Sequence, residues 1–278
     1  FGLLEEICVK KLLKLAAVGL AAVLTAVSLS ACGADTGAGT SAPASNGASA
    51  GGTKLSLVKE GTLIMGTNAE FPPFEYKEGT GFAGIDVDIM KAIADKLELK
   101  LEIEDMAFES LTQSFGKIDV IAAGFTIDPT REETCDFSDK YFNATQTVIL
   151  KADSTIATLD DLKGKKIGVQ SGTTGKDKAE EVTDAAKVTQ YNNGSLAVEA
   201  LVSGQIDAVI IDKNPAMAYK DQHGDAVKLL EGLFDEEEYA LAVKKGNKEL
   251  LDAINQALKD IKADGTFDKI VEKYIPSK

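Results

Sequence analysis

The sequence is poor in several residue types. It has no tryptophan, one histidine and three cysteines, and Arg131 is the single arginine among 30 basic residues. The histidine, His223, lies in the polar run KDQHGD, which we interpret as a surface loop. A lone histidine argues against a histidine-based metal cluster and against a Ser-His-Asp triad. We therefore predict no metal site, no cofactor and no catalytic residues.

Acidic residues outnumber basic residues. The chain has 44 acidic and 30 basic residues, which gives a formal net charge of −14. An acidic surface is repelled by phosphate backbones and by anionic membranes at long range, so we expect no nucleic-acid partner. With 278 residues, of which 44% are hydrophobic, the chain can form one large domain or two small ones.

The first 31 residues differ from the rest. The segment KKLLK precedes an uncharged run from Leu15 to Ala31. A positive segment, an apolar run and small residues at its end are typical of a secretory signal, and the run is short for a membrane span. We predict a signal peptide over residues 1–31. Because the chain begins with Phe1, we hypothesise that translation starts at Val9.

The segment LSAC, which ends at Cys32, resembles the lipoprotein box of bacterial signal peptides, in which the cysteine is acylated. It predicts a lipid anchor on Cys32 and a location at the extracytoplasmic face of the bacterial cell membrane; a plain signal peptide with a chance cysteine is the alternative. The following Gly/Ala/Ser/Thr-rich tract cannot bury a core, so we predict a lipidated, disordered tether over residues 32–53. Cys135 is then a lone thiol, which we interpret as packing.

Strand and helix patterns alternate along the rest of the chain. TLIMGT (62–67), DVIAAGF (119–125) and DAVIID (207–212) are apolar runs typical of buried strands. Ile85, Ile89 and Ile93 recur at the spacing of one helix face. This alternation predicts an α/β architecture with largely parallel sheets.

One short pattern occurs twice. GKIDVIAAG (116–124) and GQIDAVIID (204–212) share Gly-x-Ile-Asp followed by an apolar strand, and a helix-like stretch precedes each. Two similar α/β lobes are the simplest interpretation, and chance similarity of a short pattern is the alternative.

The segment GVQSGTTGKD (168–177) lacks the first glycine and the final Ser/Thr of a phosphate-binding loop. What remains is a strand, a Gly/Thr turn and a helix start, where free N–H groups suit a small anion such as a carboxylate. Arg131 suits a two-hydrogen-bond clamp on a carboxylate, with a surface salt bridge to Glu132 or Glu133 as the alternative. Asp212 ends a predicted strand, where a carboxylate suits an ammonium.

Six segments of the chain form a recognisable set: GTNAEFPPFEY, GFAGIDVDIMKAIADKL, GKIDVIAAGFTIDPTREETCDFSDKYF, LKGKKIGVQSGTTG, GQIDAVIID and ADGTFDKIVEKY. Taken together, they resemble the substrate-binding lipoproteins of polar amino-acid ABC importers, the bacterial extracellular solute-binding protein family 3. The resemblance implies a two-lobed α/β fold of the periplasmic-binding-protein type II. It places lobe 1 at residues 54–146 and 237–278, lobe 2 at 147–236, and hinge crossings near 144–150 and 234–241.

The resemblance also implies a pocket. Arg131 would clamp the α-carboxylate of an amino acid, and Asp212 would bind the α-ammonium. Further donors to the carboxylate would come from Thr126, from the backbone around Gly124, and from Thr173 and Thr174 at the helix start. Phe71 and Phe108 would enclose the ligand side chain. The ligand-binding residues implied are Asn68, Glu70, Phe71, Phe108, Gly124, Phe125, Thr126, Arg131, Gln170, Thr173, Thr174 and Asp212.

Three features depart from the family pattern. Ala123 replaces a serine found in some members, which removes a donor. Many relatives have aspartate where this chain has Asn68, so a cationic ligand side chain has one partner fewer here. The stretch between Phe108 and Gly116 is two residues short, which leaves the helix expected after Phe108 open.

The implied function is capture of a polar or cationic amino acid by hinge closure and its delivery, by a monomer, to the permease subunits of an ABC importer. Such a protein is not an enzyme. Two alternatives stay open: a sensor that signals to a membrane receptor, and a secreted dehydratase with Glu70 or Asp212 as acid or base.

Overall fold

The computed structural model describes residues 55–276. Four predictions therefore lie outside the described residues: the signal peptide over 1–31, the start at Val9, the lipid on Cys32 and the tether over 32–53. Strands alternate with helices along residues 55–276, and no helix in that range is long and apolar enough to cross a membrane.

The elements are numbered in chain order. The strands are β1 (Thr62–Thr67), β2 (Glu70–Phe71), β3 (Glu75–Glu78), β4 (Gly81–Ala83), β5 (Lys100–Asp105), β6 (Val120–Ile121), β7 (Cys135–Phe137), β8 (Phe142–Lys151), β9 (Ile167–Gln170), β10 (Val188–Tyr191), β11 (Ala208–Asp212), β12 (Val227–Leu230), β13 (Glu236–Tyr239) and β14 (Ala242–Lys244). The helices are α1 (Ile85–Lys96), α2 (Pro129–Glu132), α3 (Thr174–Val182), α4 (Gly194–Val202), α5 (Lys213–His223), α6 (Lys248–Ala263) and α7 (Thr266–Tyr274).

Two larger sheets follow the same plan. The strand order is β5-β1-β6-β14-β7 in the first sheet and β10-β9-β11-β8-β12 in the second. In each sheet the first two pairings are parallel and the last two are antiparallel. Helices pack on both sheets, so the molecule has two α/β lobes, and the predicted fold class is confirmed. A small antiparallel sheet, β2-β3-β4, follows β1.

The expectation of largely parallel sheets was wrong, because half of the pairings in each larger sheet are antiparallel. The fourth strand of each sheet explains the difference. β8 enters the second sheet directly from the first lobe, and β14 follows a strand that returns from the second lobe. Neither strand arrives through the helical crossover that makes neighbouring strands parallel.

Two adjacent strands connect the lobes. β13 pairs antiparallel with the first half of β8, from Tyr239 opposite Phe142 to Glu236 opposite Thr145. The second half of β8 belongs to the second sheet. These strands coincide with the crossings expected near 144–150 and 234–241, so the two crossings are confirmed. The lobe boundaries at 54–146, 237–278 and 147–236 stay a prediction.

The repeated Gly-x-Ile-Asp pattern performs the same structural task twice. In the first lobe, a carboxylate oxygen of Asp119 accepts a hydrogen bond from the backbone N–H of Ile64 at 2.9 Å. In the second lobe, Asp207 accepts one from the N–H of Lys166 at 2.8 Å. Each aspartate thus ties the start of β6 or β11 to the neighbouring parallel strand, which supports the interpretation of two similar lobes.

Several segments differ locally from the sequence predictions. The run 119–125 forms a strand only at Val120–Ile121. Two 3-10 turns, Phe108–Ser110 and Thr112–Ser114, occupy the shortened stretch where a helix was in question. His223 is the last residue of α5 and not a loop residue. Cys135 is fully buried, and burial raises the pKa of its thiol to about 11, which suits a packing role.

Candidate functional site

The carboxyl ends of four strands face one cleft between the two lobes. Asn68 follows β1, Gly124 follows β6, Gln170 ends β9 and Asp212 ends β11. In open α/β sheets the ends of parallel strands leave a crevice in which ligands bind. The cavity in this cleft is lined by Asn68, Phe71, Glu75, Phe108, Ala123, Gly124, Thr126, Arg131, Gln170, Thr173, Thr174 and Asp212.

Ten of the twelve residues predicted for ligand binding line this cavity, and Glu70 and Phe125 do not. Glu70 is exposed at the rim, where its carboxylate accepts a hydrogen bond from the side chain of Asn193 in the other lobe. Phe125 is buried below the cavity, with its ring centroid 4.2 Å from the Cζ atom of Arg131. Its ring therefore supports the guanidinium from behind.

Aromatic rings form part of the cavity wall. Phe71 is buried and packs closely on the backbone of Gly124, where a Cβ atom would lie 2.8 Å from the ring. Gly124 also has a φ of +52°, so a side chain at this position would be both strained and obstructed. Phe108 begins a 3-10 turn, and its ring centroid lies 5.6 Å from that of Phe125.

Arg131 is held by its surroundings in a fixed orientation. It lies in α2, whose first turn is capped by the carboxylate of Asp128. Its Nη1 donates to the carbonyl oxygen of Thr126 at 2.9 Å, and its Nη2 donates to that of Gly172 at 3.0 Å. The guanidinium thus bonds two backbone carbonyls instead of the carboxylates of Glu132 or Glu133. Burial lowers its pKa, and the charges of Asp128 and nearby carboxylates oppose that shift.

Asp212 is the last residue of β11, and its side chain lines the cavity. It is 8% exposed, and its Oδ1 accepts a hydrogen bond of 2.6 Å from the hydroxyl of Tyr239. Burial raises the pKa of Asp212 to about 6; the bond from Tyr239 opposes this shift and the charge of Glu237 adds to it. A buried carboxylate is suited to a cationic partner.

Several hydrogen bonds join the two lobes across the cleft. The side-chain Nε2 of Gln170 donates to Oδ1 of Asn68 at 2.8 Å, and both residues are buried. At the rim, the hydroxyl of Tyr219 donates to the carbonyl oxygen of Glu70 at 3.2 Å. The bond from Arg131 to Gly172 is a third connection between the lobes.

Glu237, which lies on β13, was not predicted from the sequence. Its Oε2 accepts hydrogen bonds from the hydroxyls of Thr174 at 2.8 Å and Thr126 at 3.1 Å, and from Nε2 of Gln146 at 3.4 Å. In the sequence, Glu237 belongs to the acidic run DEEEY, which resembles a solvated charge cluster. The sequence contained one indication of this position. Side chains alternate between the two faces of a strand, so Glu237 lies on the same face as the buried Tyr239.

Glu75 was also missed as a residue of the cavity wall. It is fully buried, and neither carboxylate oxygen makes a hydrogen bond of ordinary geometry. Burial, and then the neighbouring carboxylate of Asp86, raise the pKa of Glu75 well above its ordinary value. Asp86 itself accepts from the N–H of Gly124 at 2.8 Å and from the hydroxyl of Tyr141 at 2.7 Å. Among residues 55–276, no group of three or more His, Cys, Asp and Glu side chains could hold a metal ion.

The sequence pattern of the bacterial extracellular solute-binding proteins, family 3, matches residues 63–277. The chain belongs to this family. The prediction made from the six segments is thereby confirmed.

Individual relatives agree with this assignment. The chain is 36% identical over 218 residues to the arginine-binding extracellular protein ArtP of Bacillus subtilis, a match that covers 76% of this chain and 85% of ArtP. Among solved structures it is similar to an ancestral arginine-binding protein bound to glutamine, with a TM-score of 0.75 and 45% identity over 79% of this chain and 100% of that one.

One similar structure bears on the enzyme alternative. It is the ancestral amino acid-binding protein AncCDT-1, a precursor of cyclohexadienyl dehydratase, with a TM-score of 0.70 and 37% identity. The match covers 77% of this chain and 95% of that one. This relative is itself an amino acid-binding protein, so the relatives described here are binding proteins.

Proposed function

We propose that this protein captures an amino acid outside the cytoplasm by closure of its two lobes and delivers it to a membrane ABC importer. One observation carries the proposal most directly. A guanidinium, Arg131, and a buried carboxylate, Asp212, line the same cavity at the junction of the two lobes. Opposite charges at fixed positions suit the two charged ends of an α-amino acid.

Each end of the ligand has partners in this arrangement. Arg131 has five N–H groups and gives two to backbone carbonyls, so others remain for a carboxylate. The first turn of α3, which begins at Thr174, offers backbone N–H groups to the same anion. Asp212 binds the ammonium, and Phe71 and Phe108 contact the aliphatic part of the side chain.

Closure follows from contacts that only the closed form can make. A ligand that touches both lobes stabilises the closed form by its differential affinity for that form. β8 and β13, which connect the lobes, are the segments about which the lobes rotate.

The ligand is a polar or cationic amino acid. Two of the relatives named above are an arginine-binding protein and an arginine-binding protein bound to glutamine, and the side chains of both amino acids end in planar nitrogen groups. The buried amides of Asn68 and Gln170 carry donors and acceptors suited to such a group. Asn68 brings no charge, so discrimination between the two ligands rests on hydrogen bonds and not on ion pairing at this residue.

The remaining parts of the proposal concern the membrane. A lipid on Cys32 and the tether over residues 32–53 would keep a monomeric receptor near the permease. A sensor that signals to a membrane receptor uses the same binding step, and a neighbouring permease gene rather than a kinase gene distinguishes the importer. A dehydratase requires turnover of the bound ligand, which mass spectrometry of that ligand after incubation detects.

The test is a thermal-shift screen of the purified protein against the common amino acids, cystine and ornithine, after unfolding and refolding to remove any co-purified ligand. A ligand at about a hundred times its dissociation constant stabilises the protein by roughly 2.7 kcal/mol. We expect one or a few hits that disappear in Arg131→Ala and Asp212→Ala. No hit from any amino acid would contradict the proposal.

A further inference from the structure

Three threonine hydroxyls in the cleft already use their hydrogen atoms within the protein. Thr126 and Thr174 donate to Oε2 of Glu237, at 3.1 and 2.8 Å. Thr173 donates to the carbonyl oxygen of Gln170 at 2.8 Å. A hydroxyl has one hydrogen and two lone pairs, so each of these groups can offer the cavity only a lone pair. One lone pair of Thr174 already accepts a hydrogen bond from Nε2 of Gln146 at 3.3 Å, which leaves the other. The resemblance had implied the opposite polarity, with the threonines as donors to a ligand carboxylate.

Glu237 determines this polarity for two of the three hydroxyls. Its Oε2 receives three hydrogen bonds, and the oxygens of a carboxylate only accept. Its partners come from three elements: Gln146 on β8, Thr126 after β6 and Thr174 at the start of α3. Glu237 therefore fixes the hydroxyl orientation on both sides of the cleft at once.

The charge distribution points in the same direction. The charge of Glu237 helps to raise the pKa of Asp212, so these two carboxylates are neighbours, and both also act on the guanidinium of Arg131. Two carboxylates and two hydroxyl acceptors attract a cation, and a ligand carboxylate placed among them would be repelled.

We propose that Glu237 is a positioning residue that makes Thr126 and Thr174 acceptors for the α-ammonium of the ligand. The α-carboxylate is then held by Arg131 and by the backbone N–H groups at the start of α3, without threonine hydroxyls. This inference rests on the proposed function, since it assigns the partners of an amino acid in the same cleft. It predicts that Glu237 contributes to affinity only through the ammonium end of the ligand.

The test uses ligands that lack one charged end. L-arginine is compared with 5-guanidinopentanoic acid, which lacks the α-ammonium, and L-glutamine is compared with glutaramic acid, which lacks it too. Dissociation constants are measured by calorimetry at one pH for the wild type, for Glu237→Gln and for Glu236→Gln. Glu236 is the matched control because it lies on the same strand but is exposed.

We expect Glu237→Gln to weaken binding of the amino acid about tenfold or more and to leave the analogue without an ammonium nearly unchanged. The dissociation constant of the analogue divided by that of the amino acid should therefore fall at least about fivefold. Glu236→Gln should keep the wild-type value of this ratio. An unchanged ratio overturns the inference. Tighter binding of the amino acid by Glu237→Gln also overturns it, because Glu237 would then compete with the ligand carboxylate.

Two replacement variants and the binding of the wild type distinguish failure of this inference from other outcomes. If Glu237→Gln fails to fold, as judged by circular dichroism, Thr126→Val and Thr174→Val replace it, and each should lower the same ratio. If the wild type binds no amino acid, the proposed function fails and this inference fails with it. If the wild type binds but the ratio does not respond in any variant, the inference alone fails.

Discussion

The guanidinium of Arg131 donates a hydrogen bond of 3.0 Å to the carbonyl oxygen of Gly172 on the opposite side of the cleft. Gly172 belongs to the turn between β9 and α3, and the first turn of α3 carries the N–H groups proposed to bind the ligand carboxylate. Arg131 therefore contributes to the contact between the lobes and faces the position proposed for the ligand carboxylate. Both roles depend on a planar group with several parallel donors.

Arg131→Lys should weaken ligand binding although it keeps the positive charge. An ammonium cannot bond two carbonyls and also present a paired donor edge to a carboxylate. Loss of a charged hydrogen bond of this kind is expected to reduce the binding free energy by about 1.5–3 kcal/mol, or roughly 10- to 100-fold in affinity. Calorimetry with the ligand found in the screen measures the effect. Lys245→Arg, at a surface ion pair with Asp136, is the control and should not change the affinity. An affinity of Arg131→Lys equal to that of the wild type would refute the role assigned to Arg131.

Ligand affinity should fall as the pH falls from 7 to 5. The pKa of Asp212 is raised to about 6 by burial, so the carboxylate proposed to bind the ammonium becomes protonated within this range. Ammonium binding favours the ionised carboxylate, and complex formation below pH 6 should therefore release protons. Well below the pKa of Asp212, the affinity should fall by at most about tenfold for each pH unit. Calorimetry in buffers of different ionisation enthalpy measures both quantities.

Asp212→Asn is the control for this dependence. It should bind the ligand weakly at every pH, and its residual affinity should not change between pH 7 and 5. Persistence of the full pH dependence in this variant would assign the titration to another group, of which Asp86, with a pKa also near 6, is the first candidate.

Glu75→Gln should stabilise the protein at pH 8 and have little effect at pH 5. Burial raises the pKa of Glu75 in the folded state, so the folded state binds more protons than the unfolded state above pH 4.5. The contribution of Glu75 to the free energy of unfolding therefore decreases as the pH rises from the unfolded pKa to the folded one. Glutamine is nearly isosteric and does not titrate, so it removes this decrease.

Urea denaturation at pH 5 and pH 8 measures the change. Glu78→Gln, an exposed position on the same strand, is the matched control and should have the same small effect at both pH values. Equal effects of Glu75→Gln at the two pH values would show that Glu75 does not carry a raised pKa.

The sequence predicted the part of the site that depends on strand ends. Asp212 and Gln170 follow apolar runs, and an apolar run with a turn after it indicates where a parallel strand ends. Arg131 was identifiable because it is the single arginine, and its role follows from chemistry that lysine cannot supply. Local pattern is sufficient for such residues, because the edge of the sheet brings them together.

The residues that were missed or misplaced depend on tertiary contacts. Glu237 resembles its exposed neighbours in composition, and only pairing of β13 with β8 turns it towards Thr126 and Thr174. Phe125 was expected to contact the ligand, but it is buried outside the cavity lining, with its ring centroid 4.2 Å from the Cζ atom of Arg131. The antiparallel halves of both sheets were missed for a similar reason, since they arise from strands that cross between lobes.

The equivalence of the two lobes predicts matched responses to the same substitution. Gly66 on β1 and Gly168 on β9 each pack against the isoleucine of a Gly-x-Ile-Asp pattern, Ile118 and Ile206 respectively. A Cβ atom at either glycine would overlap the Cδ1 atom of that isoleucine. Gly66→Ala and Gly168→Ala should therefore each lower the free energy of unfolding by about 1–3 kcal/mol, the usual effect of overpacking.

The second substitution in each lobe identifies the cause. Ile118→Val and Ile206→Val remove the overlapping methyl group, so each double variant should recover part of the loss, and urea denaturation gives the coupling energy in each lobe. Gly81→Ala is the control, because its Cβ atom would meet nothing closer than 3.9 Å and the change should be nearly neutral. Since Asp119 and Asp207 already bond the same strand position in both lobes, similar coupling energies would establish that the pattern is one packing unit used twice. Strictly additive effects in either lobe would mean that another contact limits the glycine there.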